Sequence, residues 1–257
     1  SDNNVAIGFE ALATEDTQGH SVAVGYQALK TQNSSATSEN TAVGYKAGTA
    51  LTTGVESTFV GYEAGAALTI GTNNTLIGGE AGKTMVGDNN NVAVGWGALK
   101  VQTVGSSTAT NNTAVGYGAG TTVTTGQQNS FFGLNAGAGC TTGEKNTFIG
   151  NKSGGDSTQT GDRNVGVGWE AGFNLTSGSN NIMIGHQAGR ATSPSGNINS
   201  GSDTICLGDD DINDFFCADT SISSSDSRDK ADITDFNIGL NWIKDLRPIT
   251  YKWDKRS

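Results

Sequence analysis

Nine residues, NTAVGYKAG (Asn40 to Gly48), recur along this chain with their core frame intact, and that recurrence restricts the fold to stacked copies of one small unit. Variants are STFVGYEAG, NTLIGGEAG, NVAVGWGAL, NTAVGYGAG, NSFFGLNAG, NTFIGNKSG, NVGVGWEAG and NIMIGHQAG. The central glycines are Gly8, Gly25, Gly44, Gly61, Gly78, Gly95, Gly116, Gly133, Gly150, Gly168, Gly185 and, in a degenerate last copy, Gly208. Their spacings are 17, 19, 17, 17, 17, 21, 17, 17, 18, 17 and 23. Seven of the eleven are 17 and every exception is longer. Insertions therefore enter the polar half of a unit while the apolar frame is kept, as in a solenoid.

The unit predicts a strand of four or five residues, a turn, a second short strand and another turn. Three residues before the glycine stands Val, Thr, Ser or Ile, and one before it Val, Ile, Leu or Phe; the period of two puts both on one face. The residue between them is small or apolar and points the other way, so the strand reads as buried on both sides. One coil can bury only its inner face. The outer face calls for a partner, and three chains around an axis supply one. Asn stands four before the glycine in nine of twelve units, where it suits a left-handed backbone and a ladder of hydrogen bonds. Ala stands three after it in ten of twelve, which marks tight space. The glycine itself marks a corner with positive φ or close backbone approach. Twelve rungs at ~4.8 Å make a shaft of roughly 55–60 Å.

NNVAIG (Asn3–Gly8) and HSVAVG (His20–Gly25) resemble the short motif of trimeric autotransporter adhesin heads. The likeness covers about six residues of each unit, and these units are longer than is usual in that family. It implies a parallel β-roll assembled in threes.

Composition agrees with a thin repetitive core. Glycine makes up 38 of 257 residues, yet there is no Gly-X-Y period and only two prolines, which excludes a collagen helix. The apolar fraction of 34% is low for one compact core and suits a strip buried rung by rung. A net charge of −10 offers no basic footprint for nucleic acid. No apolar run approaches the ~20 residues of a membrane span, so membrane insertion is not expected. The chain opens on Ser1 without a charged-then-apolar leader, as expected of a fragment or a processed product. Cys140, Cys206 and Cys217 are distant and odd in number, and read as free packed thiols. His20 and His186 occupy different repeat positions without metal-ligating companions, and DDDIND (Asp209–Asp214) lacks the glycine and terminal glutamate of an EF-hand loop. No metal and no cofactor are expected.

Two outer stripes carry possible chemistry. Phe9, Tyr26, Tyr45, Tyr62, Trp96, Tyr117 and Trp169 follow the central glycines directly. Such a stripe either stacks on sugars or packs at a corner or between chains, and the burial of large rings is sufficient reason for the second. One position further on, Glu63 and Glu80 occupy adjacent rungs, close to the ~5 Å carboxylate separation of retaining glycosidases. The same stripe holds Gln27, Lys46 and Asn135, which is the character of a solvated edge.

Charge density changes near Gly201: 12 of the 25 acidic residues lie beyond it. Residues 236–246 place Phe236, Leu240 and Ile243 at helical spacing with Asp235 as cap, Pro248 stops the helix, and Ile249, Tyr251 and Trp253 alternate as a strand. The stretch SDSRDK (Ser225–Lys230), followed by GLNWIKDLRPITYKWDKR (Gly239–Arg256), resembles the start of the intramolecular chaperone domain that ends many phage tail fibres and tailspikes. LGDDDINDFFCADTSISS (Leu207–Ser224) is similar to that family's neck. The resemblance covers about a fifth of the chain. It implies that Ser225 attacks as nucleophile, that Lys230 is its base, that Asp226 and Arg228 hold the turn, and that the Ser224–Ser225 bond is cut. A serine needs such a base, and a lysine can act only if its usual pKa of ~10.4 falls, as burial where three chains meet would achieve. The competing reading is a serine-rich linker entering a mixed-charge helix.

The sequence is thus read as all-β: a trimeric parallel β-helix or β-roll shaft over residues 1–200, a neck over 201–224, and the start of an α+β chaperone domain over 225–257. The expected role is that of a homotrimeric phage tail fibre in the virion, attaching to a host cell-surface receptor (a glycan or a surface protein), with a single self-cleavage as its only chemistry. A bacterial trimeric surface adhesin and a glycan-degrading tailspike centred on Glu63 and Glu80 are the alternatives.

Overall fold

The computed structural model of the chain describes residues 3–15, 19–34, 37–105 and 108–214. One compact unit spans Ser1–Asn213 and a second spans Asp214–Ser257. The self-cleavage residues Ser224, Ser225, Asp226, Arg228 and Lys230, and the helix and strand expected after them, lie outside the described residues.

The first unit is an all-β parallel solenoid, with no helix among the described residues. Twelve strands of three residues each, from Val5–Ile7 to Ile205–Leu207, stack in chain order into one parallel sheet. Each pairs in register with the same position of the next unit, as in Thr58↔Thr75, Phe59↔Leu76 and Val60↔Ile77. The last strand lies beyond Gly201, so the sheet continues into the segment read as a neck. The expected second strand per unit is not formed: the rest of each regular rung is a run of turns. Positive φ is the reason. Two alternate positions of the path, such as Glu63 (φ 53°) and Gly65 (φ 59°), sit in the left-handed region, which breaks any extended run there. Thr108–Ala109, in the 21-residue rung, pairs with Asp88–Asn89 of the rung before it as a separate small ladder.

The middle residue of each strand points inward. Ala23, Ala42, Phe59, Leu76, Ala93, Ala114, Phe131, Phe148 and Met183 are fully buried there. A second core column stands seven after the glycine and includes Leu51, Leu68, Met85, Val123, Cys140 and Leu175. Phe131 and Phe148 stack at 5.8 Å. Burial pushes the Cys140 thiol up to about 12, so it behaves as a small apolar group. The alanines three after the glycine are buried from Ala28 onward, and Ser153, which replaces one of them, donates its hydroxyl to the Gly166 carbonyl at 2.8 Å.

The corner glycine is required twice over. Gly61 has φ 132°, and a Cβ there would stand 2.6 Å from the carbonyl oxygen of Gly78 in the next rung. The asparagine ladder is present and buried. Asn129, for example, accepts the Asn146 backbone N–H at its Oδ1 (2.9 Å) and donates from Nδ2 to the Gly143 carbonyl (2.9 Å). The left-handed residue lies one position earlier than expected, at Gln128 (φ 59°) or Asn73 (φ 58°), outside the ladder itself.

Candidate functional site

The outer face of the strands is where the chain differs most from a closed, self-sufficient coil. Their first and third side chains point outward, and Val5, Ile7, Val43, Ile77, Phe132, Ile149, Ile182, Ile184, Ile205 and Leu207 are all exposed. The sequence reading of an apolar outer face therefore holds, but in the single chain that face is uncovered rather than buried. From the first outward residue to the aromatic column it measures roughly 55 Å by 13 Å, or about 700 Å². Six strands place Thr or Ser at the first outward position, so the continuous apolar stripe runs along the third position and the aromatic column, comparable with the largest patches of ordinary monomers.

The aromatic column borders this face. Phe9, Tyr26, Tyr45 and Tyr62 form one stack with centroids 5.4, 5.1 and 5.4 Å apart and ring planes within 13°, 9° and 8°. In-register rungs impose this spacing, because each ring rides on the strand ladder beneath it. Both faces of Tyr26 and Tyr45 are turned to neighbouring rings, so there solvent meets edges and hydroxyls. The Glu63 carboxylate next to Tyr62 pushes that phenol up, which keeps it a neutral hydrogen-bonding edge. The stack stops at the fifth unit, where Gly79 takes the aromatic position. Trp96 lies over that gap: a Cβ on Gly79 would come within 2.4 Å of its indole. Tyr117 follows, and neither Trp96 nor Tyr117 makes a ring–ring contact among the described residues. Trp169 is covered by the imidazole of His186, 4.8 Å away and within 14° of parallel.

The neighbouring stripe is an ion-pair chain. Lys83 Nζ lies 2.6 Å from Glu63 Oε2 and 2.8 Å from Glu80 Oε1, and Lys100 Nζ lies 2.6 Å from Glu80 Oε2. Lys100 and then Lys83 hold the Glu80 carboxyl below its ordinary range, while Glu63 and Glu80 raise the Lys83 ammonium. A glycosidase acid needs the opposite shift, since it must carry a proton at neutral pH. The structure brings Glu63 and Glu80 together around a shared cation, an arrangement that keeps Glu80 charged. Lys30 and Gln27 hold Glu10 in the same way, at 2.6 and 2.8 Å, with its carboxyl also lowered.

At the last rung the acidic bend is tied down locally. His186 Nδ1 and Asp209 Oδ2 are 2.6 Å apart, and this contact is the main reason the Asp209 carboxyl falls below its usual range. Asp209 Oδ1 also accepts the Asp211 N–H. Cys140 and Cys206 are free and buried, and Cys217 lies outside the described residues.

Sequence reasoning missed a further small-residue column seven before the central glycine. At Gly54 and Gly126 a Cβ would stand 2.3 and 2.4 Å from the carbonyl of the equivalent glycine above. Those carbonyls receive the asparagine ladder, as in Asn112 Nδ2 to Gly126 O at 2.8 Å. Its signal was a second glycine recurring at the same 17-residue period. Compared with protein-family profiles, curated proteins and solved structures, the chain matches none.

Proposed function

We propose that this chain is part of the shaft of a homotrimeric fibre or spike, a phage tail fibre that attaches to a host surface, matured by the chaperone segment whose start it carries. The observation behind this reading is the uncovered apolar face of the solenoid. Its area of about 700 Å² is close to the ~800 Å² per partner of a standard protein interface. Parallel copies suit it, because every rung repeats the same profile and two further copies present matching profiles at matching heights. The rod itself is rigid: each rung rests on backbone ladders and on corners where no side chain fits. Carboxylates held in ion pairs at Glu63 and Glu80 favour a structural and adhesive role over a hydrolytic one.

The chaperone part of the proposal rests on the resemblance of residues 225–257. Lys230 would draw the Ser225 hydroxyl proton, Ser225 Oγ would attack the Ser224 carbonyl, and the peptide would part through an ester that water then hydrolyses. The test is intact mass and sedimentation of the full-length gene product beside Ser225→Ala. A wild type ending at Ser224 that sediments as a trimer, with an uncut variant, is the expected result. A monomeric wild type overturns the trimer, and two uncut proteins overturn the cleavage.

A further inference from the structure

We propose that the surface around Trp96 and Tyr117 is a binding subsite for an uncharged polysaccharide, which gives the attachment role proposed above a place on the rod. The aromatic column is not uniform. In its first four rungs mutual stacking takes both ring faces of Tyr26 and Tyr45 and one face each of Phe9 and Tyr62. At Trp169 the face is taken by His186. Trp96 rests one face on Gly79, and Trp96 and Tyr117 stand 46% and 58% exposed in adjacent rungs without a ring partner, so the Trp96 face turned away from Gly79 and the Tyr117 ring remain available for the C–H faces of sugar rings.

The ground beside them is cleared as well. The next position carries a charged or amide side chain in most rungs, but here it is Gly97 and Gly118. A Cβ at Gly97 would meet nothing nearer than the Thr121 hydroxyl at 3.9 Å. Asn135 Oδ1 reaches down over Gly118, to 2.4 Å from where its Cβ would be. Among the described residues the Asn135 amide and the Thr121 hydroxyl make no hydrogen bond, so both have donors and acceptors to offer. An aromatic floor with a few free polar groups at its margin is the chemistry that holds a saccharide. The Lys100 ammonium nearby is already paired with Glu80 at 2.6 Å, leaving no free cation for an acidic sugar. With a net charge of −10 on the chain, polyanions are repelled and neutral glycans are not.

The test is affinity electrophoresis of the full chain in native gels holding one soluble neutral probe each: an α-glucan, a β-1,3-glucan or a galactomannan. At least one probe is expected to retard the protein. Trp96→Ala should weaken that apparent affinity about tenfold or more, which corresponds to ~1.4 kcal/mol. Trp96→Phe should retain most of it, Asn135→Ala should lower it, and Trp169→Ala should leave it unchanged. Retardation by none of the three, or equal retardation of wild type and Trp96→Ala, overturns the subsite. Sedimentation of each protein keeps this separate from the fibre reading: a trimer that binds no probe loses only the subsite, and a monomer that binds through Trp96 loses only the trimer.

Discussion

In the 17-residue rungs after the first, where Glu15 stands half-buried, the core column seven after the central glycine holds Leu51, Leu68, Met85, Val123, Cys140 and Leu175, whereas in the rungs of 19 and 21 residues the same column holds Gln32 and Gln102. Both glutamines are fully buried, and both are satisfied by residues around the insertion. Gln102 donates to Thr110 Oγ1 at 2.8 Å and toward Asp88 Oδ1 at 3.3 Å, and accepts from Asn112 Nδ2 at 2.9 Å. Gln32 donates to Ser38 Oγ and accepts from Asn40 Nδ2, each at 2.9 Å. A longer rung brings extra polar side chains against the core, and a buried glutamine satisfies them, Ser38 and Asn40 in one rung and Thr110 and Asn112 in the other, at the cost of one apolar contact. Insertion is thus tolerated where the core column changes chemistry with it.

The sharpest way to break this comparison is to add one methyl group to each kind of rung. Gly61→Ala places a Cβ 2.6 Å from a carbonyl that the rung above holds fixed, at a φ of 132°. It should cost roughly 4 kcal/mol or prevent folding, since strain and a backbone clash add. Gly105→Ala, in the 21-residue rung, has φ 86° and no atom within 4 Å, so strain alone should cost about 1 kcal/mol. Urea midpoints of the two variants measure the difference. Equal losses would mean that the insertion is as tightly packed as the shaft.

The asparagine ladder gives the next largest effect. Asn129→Ala leaves a buried N–H and a buried carbonyl without partners, for a loss of about 2–4 kcal/mol. Asn112→Ala closes the 21-residue rung and forfeits a third bond, to Gln102, so it should lose about 1 kcal/mol more. Asn129→Ser should fall between wild type and Asn129→Ala, because the natural Ser57 already accepts the Asn74 N–H in the ladder at 3.1 Å. Thermal unfolding in one buffer ranks the three.

How much of this was legible beforehand follows from what each position demands. The 17-residue period, the corner glycines, the ladder asparagines and the buried alanines were readable because stacking asks one chemical answer of every rung. The left-handed residues before the ladder were not, because Glu56, Asn73, Gln128 and Lys145 adopt that conformation alike and leave no common side chain to notice. The second strand was expected from the length of the unit alone, and positive φ replaced it with turns. The aromatic stripe was visible as a stripe. Whether its rings show faces or edges depends on side-chain torsions and on single gaps such as Gly79, which a column of residue types does not encode. The same limit applies to Glu63 and Glu80, whose proximity was expected and whose shared Lys83 was not.

One rung departs from the pattern and offers the smallest and most discriminating test. Gln159, in the 18-residue rung, pairs across the rungs with Cys140 and is fully buried, yet among the described residues neither its Nε2 nor its Oε1 has a hydrogen-bond partner. If the polar plug works through its partners, Gln159→Leu should stabilise the protein by about 1 kcal/mol, since an unsatisfied amide is replaced by an apolar group of similar size. Gln102→Leu should destabilise it by about 2 kcal/mol, since Asn112, Thr110 and Asp88 then lose their partner. Melting temperatures that move in opposite directions support the plug. If Gln159→Leu is destabilising too, an ordered water completes that amide, and every lengthened rung that carries a core glutamine then uses it in the same way.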